Sequence, residues 1–150
     1  MINQPIYINP NRIELDEAYM QMAEVWAKRS KANRLQVGAV VVNNNQIISD
    51  GYNGMPSGSS DDTCEYWKDD ILTTKEHVLH AESNAILKLA ANGGMGARGA
   101  TLYVTHSPCP ECAKLIKQSG ISRVVFRNKY RITAGIDMLS KLNVKVEHLV

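Results

Sequence analysis

Apolar residues recur along this chain in two rhythms, helical steps and short unbroken runs. Across residues 13–31, Leu15, Ala18, Met22, Val25 and Trp26 fall at three- and four-residue spacings with polar residues between them. That spacing predicts a helix with this face, Trp26 included, in the core. Residues 37–42 are a valine-rich run and read as a buried strand. Asn43-Asn44-Asn45 marks a turn, and residues 46–50 return as the second strand of a β-hairpin. Residues 51–63 collect Gly, Ser and Asp and read as a long loop. Residues 64–78 stay open between a short helix and an ordered insertion.

Beyond that stretch the pattern is regular. A helix over 80–91 packs Ala81, Ala85, Ile86, Leu89 and Ala90 and stops at Asn92-Gly93-Gly94. A strand follows at 101–104. A helix over 110–118 opens on proline and closes at Gly120. A strand at 124–126, a helix over 133–142 and an edge strand at 144–150 complete the chain. Residues 1–12, with Pro5 and Pro10, form an extended lead-in. This order predicts an α/β fold in one domain, residues 1–150. Its form is a three-layer α/β/α sandwich around a mixed five-stranded sheet, with an antiparallel hairpin and helical crossovers between parallel strands.

Composition adds bounds. The chain has 150 residues, 44% hydrophobic and 21% charged, enough for one sizeable core. Aromatics are only 6%, so aliphatic residues and methionine must fill it. No apolar run reaches membrane-spanning length, and the first residues do not read as a signal peptide. A cytoplasmic protein with no membrane partner is expected. Net charge is +2, from 17 basic and 15 acidic residues. The densest basic stretches, 28–34 and 123–131, suit one small phosphate better than a polymer, so a small anionic ligand is expected and nucleic acid is not.

The three cysteines are Cys64, Cys109 and Cys112. An odd count with a Cys-x-x-Cys pair is no disulfide framework. The pair alone is compatible with a redox couple, half a zinc site or two buried small hydrophobes. His80-Ala81-Glu82 together with Pro108-Cys109-Pro110-Glu111-Cys112 changes that balance. A catalytic zinc takes three protein ligands and keeps one position open; His80, Cys109 and Cys112 supply the count. Both motifs stand at predicted helix starts, where free N–H groups and the positive dipole end favour thiolate. Glu82 is then free to move protons between water, a ring nitrogen and a leaving amine. A purely structural zinc would need a fourth ligand from His77, His106 or Cys64. A redox pair would leave His80 and Glu82 without a role.

These motifs resemble the zinc-dependent cytidine and deoxycytidylate deaminases, and the deoxycytidylate branch most closely. The likeness rests on Val37-Gly38-Ala39-Val40-Val41-Val42, Gly51-Tyr52-Asn53-Gly54-Met55-Pro56, His80-Ala81-Glu82-Ser83-Asn84-Ala85-Ile86 and Leu102 to Ala113, and runs on through Ile121 to Val125. The resemblance implies a cytidine deaminase-like fold with a catalytic Zn2+ on His80, Cys109 and Cys112 and with Glu82 as proton shuttle. It implies that Asn53 binds the sugar 3′-hydroxyl, and that the backbone of Ala81 and of the Ser107-Pro108 turn reads the cytosine edge. The implied reaction converts dCMP to dUMP and ammonia, feeding thymidylate synthesis. It further implies dCTP, with Mg2+, and dTTP as effectors, and a homo-oligomer, commonly a hexamer.

Ser30, Lys31, Arg34 and Arg131 are candidates for a phosphate or an effector, and Tyr130 either covers the substrate or closes the core. Many relatives carry a second zinc in the insertion before the catalytic histidine. Here only Cys64 and His77 remain for it, with carboxylate help from Asp61, Asp62 or Glu65. Three readings stand: a deaminase of dCMP, a deaminase of both dCMP and dCTP, and a non-catalytic zinc-containing nucleotide-binding module.

Overall fold

The computed structural model describes residues 3–150. The chain runs α1 (Leu15–Ala27), β1 (Gly38–Asn43), β2 (Gln46–Tyr52), β3 (Glu65–Lys68), β4 (Ile71–Thr74), α2 (Ala81–Asn92), β5 (Thr101–His106), α3 (Pro110–Ser119), β6 (Arg123–Asn128), α4 (Ala134–Lys141) and β7 (Lys145–His148). Five strands form one sheet in the order β2-β1-β5-β6-β7. β5, β6 and β7 are parallel, whereas β1 is antiparallel to both its neighbours. The connection through α2 steps over β1, so antiparallel pairing reaches one strand beyond the predicted hairpin.

Side chains alternate across this sheet as the period of two requires. Val40, Val42, Tyr103 and Val125 pack on Met20 and Ala23 of α1. Ala39, Val41, Leu102, Val104, Val124 and Phe126 pack on Ala81 and Ala85 of α2, Ala113 and Ile116 of α3, and Leu139 of α4. The three-layer sandwich is therefore present, with one helix on one face and three on the other. No helix among the described residues is long and apolar enough to cross a membrane.

One alternative of the sequence reading falls away: residues 64–78 hold a second, separate hairpin, β3–β4, an ordered insertion rather than a helix. Asp69 and Asp70 have φ of 48° and 61°, the left-handed pair that a tight hairpin turn needs, as do Asn44 and Asn45 at 50° and 59° between β1 and β2. Strands of four residues are too short for periodicity to announce them.

The buried face of α1 differs from the sequence reading. Leu15, Met22 and Val25 are 57%, 49% and 59% exposed, while Met20, Ala23 and Ala27 are buried. Trp26 is half-buried, its ring edge-on to Tyr52 at 6.0 Å. Close approach explains the choice. A side chain at Gly38 would strike the backbone of Ala23 and Ala27, so α1 lies against β1 through these two alanines, with Met20 buried on the same face and Leu15, Met22 and Val25 left outside.

Candidate active site

Both helices that bring the chemistry together begin on a ligand-type residue. His80 is the N-cap of α2, and Cys109 is the N-cap of α3. Local sequence sets both starts. Pro110 stands in the first turn of α3, where it needs no N–H partner, and Gly120 ends that helix at φ 89°. Gly93 ends α2 at φ 68°. The N–H of Cys112 donates to Cys109 Sγ at 3.5 Å, so the thiolate itself caps the helix.

His80 Nδ1 lies 3.2 Å from Cys112 Sγ and 3.5 Å from Cys109 Sγ. All three donor atoms lie within 4.8 Å of one another. Tetrahedral zinc with N and S ligands places neighbouring donors about 3.5 Å apart, so the two separations from His80 Nδ1 are close to what zinc needs. Three donors match a catalytic rather than a closed structural site. His77, His106 and Cys64 do not join the cluster, and among the described residues no second group of three ligands forms around Cys64 and His77.

Charge at the site is set by burial and by these contacts. Hydrogen bonds from the Cys112 thiol and from His80 hold the Cys109 thiol down to about 3. The Cys109 thiolate and burial push Cys112 in the opposite direction. The contact with Cys109 raises His80 above its ordinary value. Glu82, in the first turn of α2, is only 4% exposed, and burial pushes its carboxyl above the usual range. A carboxyl raised in this way is a better proton acceptor than an exposed one.

Glu82, His80, Cys109, Ala81 and Ser107 line a cleft of about 420 Å³ together with Asn53, Arg34 and Tyr130. Asn53 is held at both ends: its Oδ1 accepts from the Val37 N–H at 2.9 Å and its Nδ2 donates to the Leu35 carbonyl at 2.8 Å. Tyr130 stacks on His106 with ring centroids 5.5 Å apart, and its N–H donates to Ser107 Oγ at 2.9 Å. Burial raises the Tyr130 phenol to about 12 and lowers His106. Pro108 is buried next to Cys109.

The four phosphate candidates part company. Arg34 lines the cleft and donates to Thr74 Oγ1 at 3.0 Å. Ser30 donates its hydroxyl to the Asn53 carbonyl at 2.8 Å. Lys31 pairs with Asp62 outside the cleft. Arg131 is exposed and is not among the residues that line the cleft. The sequence reading considered Glu65 only as carboxylate help for a second zinc, whereas the side chain stands in this wall. Its Oε1 accepts from the backbone N–H groups of Asn33 and Arg34 at 2.7 and 3.1 Å, anchoring the Arg34 loop to the β3–β4 hairpin. No local signal announced that hairpin, since Asp69-Asp70 is not one of the strong hairpin-turn pairs and the flanking strands have only four residues each.

Comparison with known proteins follows this geometry. The family described as "Cytidine and deoxycytidylate deaminase zinc-binding region" matches residues 13–128. The deoxycytidylate deaminase of Homo sapiens is 44% identical over 118 residues, covering 76% of this chain and 65% of that protein, so the chain spans just under two thirds of that relative. The deoxycytidylate deaminase of Enterobacteria phage T4 is 37% identical over 149 residues, covering 74% of this chain and 76% of that protein. The crystal structure of dCMP deaminase from cyanophage S-TIM5, in complex with dCMP and dUMP, superposes with a TM-score of 0.84 at 44% identity, covering 95% of this chain and 100% of that one. With its three-donor cluster, its buried Glu82 and these matches, the chain belongs to the cytidine and deoxycytidylate deaminase family.

Proposed function

We propose that the chain is a zinc-dependent deoxycytidylate deaminase that hydrolyses dCMP to dUMP and ammonia. One observation carries the reading: a buried carboxyl, Glu82, shares a cleft of about 420 Å³ with His80 and Cys109, two members of the three-donor cluster that Cys112 completes. That volume suits one small nucleotide. A non-catalytic zinc module has no use for a carboxyl buried at that cost.

When bound by His80, Cys109 and Cys112, zinc supplies the Lewis acidity that makes a water nucleophilic near neutral pH. Glu82 would take one proton from the attacking water and deliver it to N3 of the cytosine ring as the new C–O bond forms at C4. It then carries the hydroxyl proton from C4 to the amine, the C4–N4 bond breaks, and ammonia leaves. The N–H of Ala81, in the first turn of α2, has no intrahelical acceptor and is free to donate to the base edge. The Ser107-Pro108 backbone reads the base from the other side, and Asn53 faces the sugar 3′-hydroxyl. Tyr130 covers the substrate. Arg34 meets the 5′-phosphate with a charge-assisted bond.

The same reading takes in dCTP and dTTP as effectors, Mg2+ with a triphosphate, and a supply of dUMP to thymidylate synthesis in the cytoplasm. It also takes in a single domain and a homo-oligomer, for which the exposed stripe of Leu15, Met22 and Val25 offers apolar surface. Acceptance of dCTP alongside dCMP is the second reading, since both share the base chemistry.

The test is ammonia release by zinc-loaded protein from dCMP, dCTP, deoxycytidine and CMP, repeated with Glu82→Gln. We expect dCMP turnover in the parent and a loss of at least ~10²-fold in the variant, with zinc content unchanged. Comparable activity in Glu82→Gln would overturn the proton shuttle. Equal turnover of dCTP would establish the dual-substrate reading.

A further inference from the structure

Four glycines in this fold, Gly38, Gly51, Gly120 and Gly135, touch backbone where a side chain would stand, and two of them, Gly51 and Gly135, touch the turns that present the metal donors. A Cβ at Gly51 of β2 would lie 2.5 Å from the Ala81 carbonyl oxygen and 2.7 Å from the Ala85 nitrogen. Ala81 sits between His80 and Glu82. A Cβ at Gly135 of α4 would run into the Pro108 carbonyl oxygen and stand 2.7 Å from the Cys109 carbonyl carbon. That peptide carries one thiolate and leads into the helix that carries the other.

We infer that Gly51 and Gly135 are positioning residues of the metal site: their missing side chains set how closely β2 approaches α2 and how closely α4 approaches the Cys109 turn. The inference rests on the metal reading given above. Neither glycine has a φ in the left-handed region, so alanine could adopt either backbone conformation and space alone excludes it. The obstructing atoms are backbone apart from Asn84 Cβ, the third contact at Gly51, so no side-chain rotation relieves the clash.

Nor can α2 drift freely. Ser49 Oγ donates to the Ala85 carbonyl at 2.6 Å, and Asn84 Nδ2 donates to the Tyr52 carbonyl at 2.8 Å, both tying α2 to β2. A methyl group at Gly51 must therefore displace the His80–Glu82 turn, and one at Gly135 must part α4 from the Cys109 turn or push that turn aside, while the donor atoms need separations of about 3.5 Å to share one ion. Gly38 provides the contrast. Its Cβ would strike the Ala23 carbonyl and lie 2.5 Å from the Ala27 nitrogen, a contact with α1 that carries no ligand.

The experiment compares Gly51→Ala, Gly135→Ala and Gly38→Ala with the parent protein. Its readouts are Tm, zinc affinity by chelator competition, and the visible spectrum of the cobalt(II)-substituted protein. All three variants should lower Tm. Only the first two should alter the cobalt spectrum and weaken zinc binding, by about 10- to 100-fold. Parent-like spectrum and affinity in both site variants would overturn the inference, since a packing role alone predicts that result. A raised Tm in Gly135→Ala would also overturn it for α4, because alanine is the better helix former wherever a methyl fits. Should Gly135→Ala not fold, Gly51→Ala, whose contacts are less severe, carries the same test. A parent protein that binds neither metal overturns the deaminase reading and this inference together; parent binding with unchanged variants overturns this inference alone.

Discussion

The two faces of the sheet are held by different physics. On the face of α2, α3 and α4 the contact layer is apolar, rich in alanine and valine, and close enough that Gly51 and Gly135 have no room for a methyl. On the face of α1 a smaller apolar cluster is joined by an ionic layer. Arg123 of β6 pairs with Asp16 at 2.7 Å and with Glu147, and Tyr103 OH donates to Asp16 at 2.6 Å. Arg127 pairs with Glu17 at 2.7 Å and Glu24 at 3.2 Å. Long charged side chains adapt to a small displacement; a glycine against a carbonyl does not. The face that carries the donors is the one where position is least negotiable.

The comparison breaks most visibly at the donors. Cys112→Ala should lose zinc, abolish ammonia release and lower Tm, because metal binding is part of the folding free energy on that face; metal analysis and calorimetry check it. Parent-like zinc content would remove Cys112 from the set. At the cleft mouth the effect should be smaller and directed at substrate. Arg34→Ala is expected to raise KM for dCMP about 10- to 100-fold, the worth of a lost charge-assisted hydrogen bond, and to leave turnover of deoxycytidine nearly unchanged. An equal loss with both substrates would mean that Arg34 only shapes the wall.

The smallest effect belongs to the ionic face. Arg123→Met should cost about 1–2 kcal/mol, between exposed and buried pairs, with kcat and zinc affinity as in the parent. Its pH dependence has a definite sign. Hydrogen bonding to Arg123 lowers Asp16 below its ordinary 3.8 and Glu147 below its ordinary 4.5. A lowered carboxyl pKa stabilises the fold above the unfolded value and loses that stabilisation as pH falls through the folded one. The Tm gap between parent and Arg123→Met should therefore be full at neutral pH and close progressively in acid below about pH 4.5. A gap that widens in acid would show that the arginine acts through packing instead.

How much of this was legible beforehand varies by segment. The donors, Glu82 and both helix starts could be read from His80-Ala81-Glu82 and Pro108-Cys109-Pro110-Glu111-Cys112, because capping and ligand chemistry act within a few residues of chain. The order of the main elements could be read as well, since each carries its own hydrophobic period. The β3–β4 hairpin could not, because four-residue strands carry too little pattern. The outward face of α1 could not either. The apolar periodicity selected Leu15, Met22 and Val25, whereas close approach to Gly38 selected Ala23 and Ala27, with Met20 buried on the same face. Among the phosphate candidates, charge alone did not separate Arg34 from Lys31, because the difference lies in Asp62 and Glu65, some 30 residues further along the chain.

The sequence by itself determined which donor-type side chains and which carboxyl stand at the starts of α2 and α3, since residue type and short spacing are local properties. Only the tertiary structure decided how those groups meet: that His80 Nδ1 arrives 3.2 Å from Cys112 Sγ, that the Arg34 loop hangs on Glu65, and that Gly51 and Gly135 leave no gap behind the donors. Such distances are sums over many contacts between segments far apart in the chain, and no single stretch of residues encodes a sum.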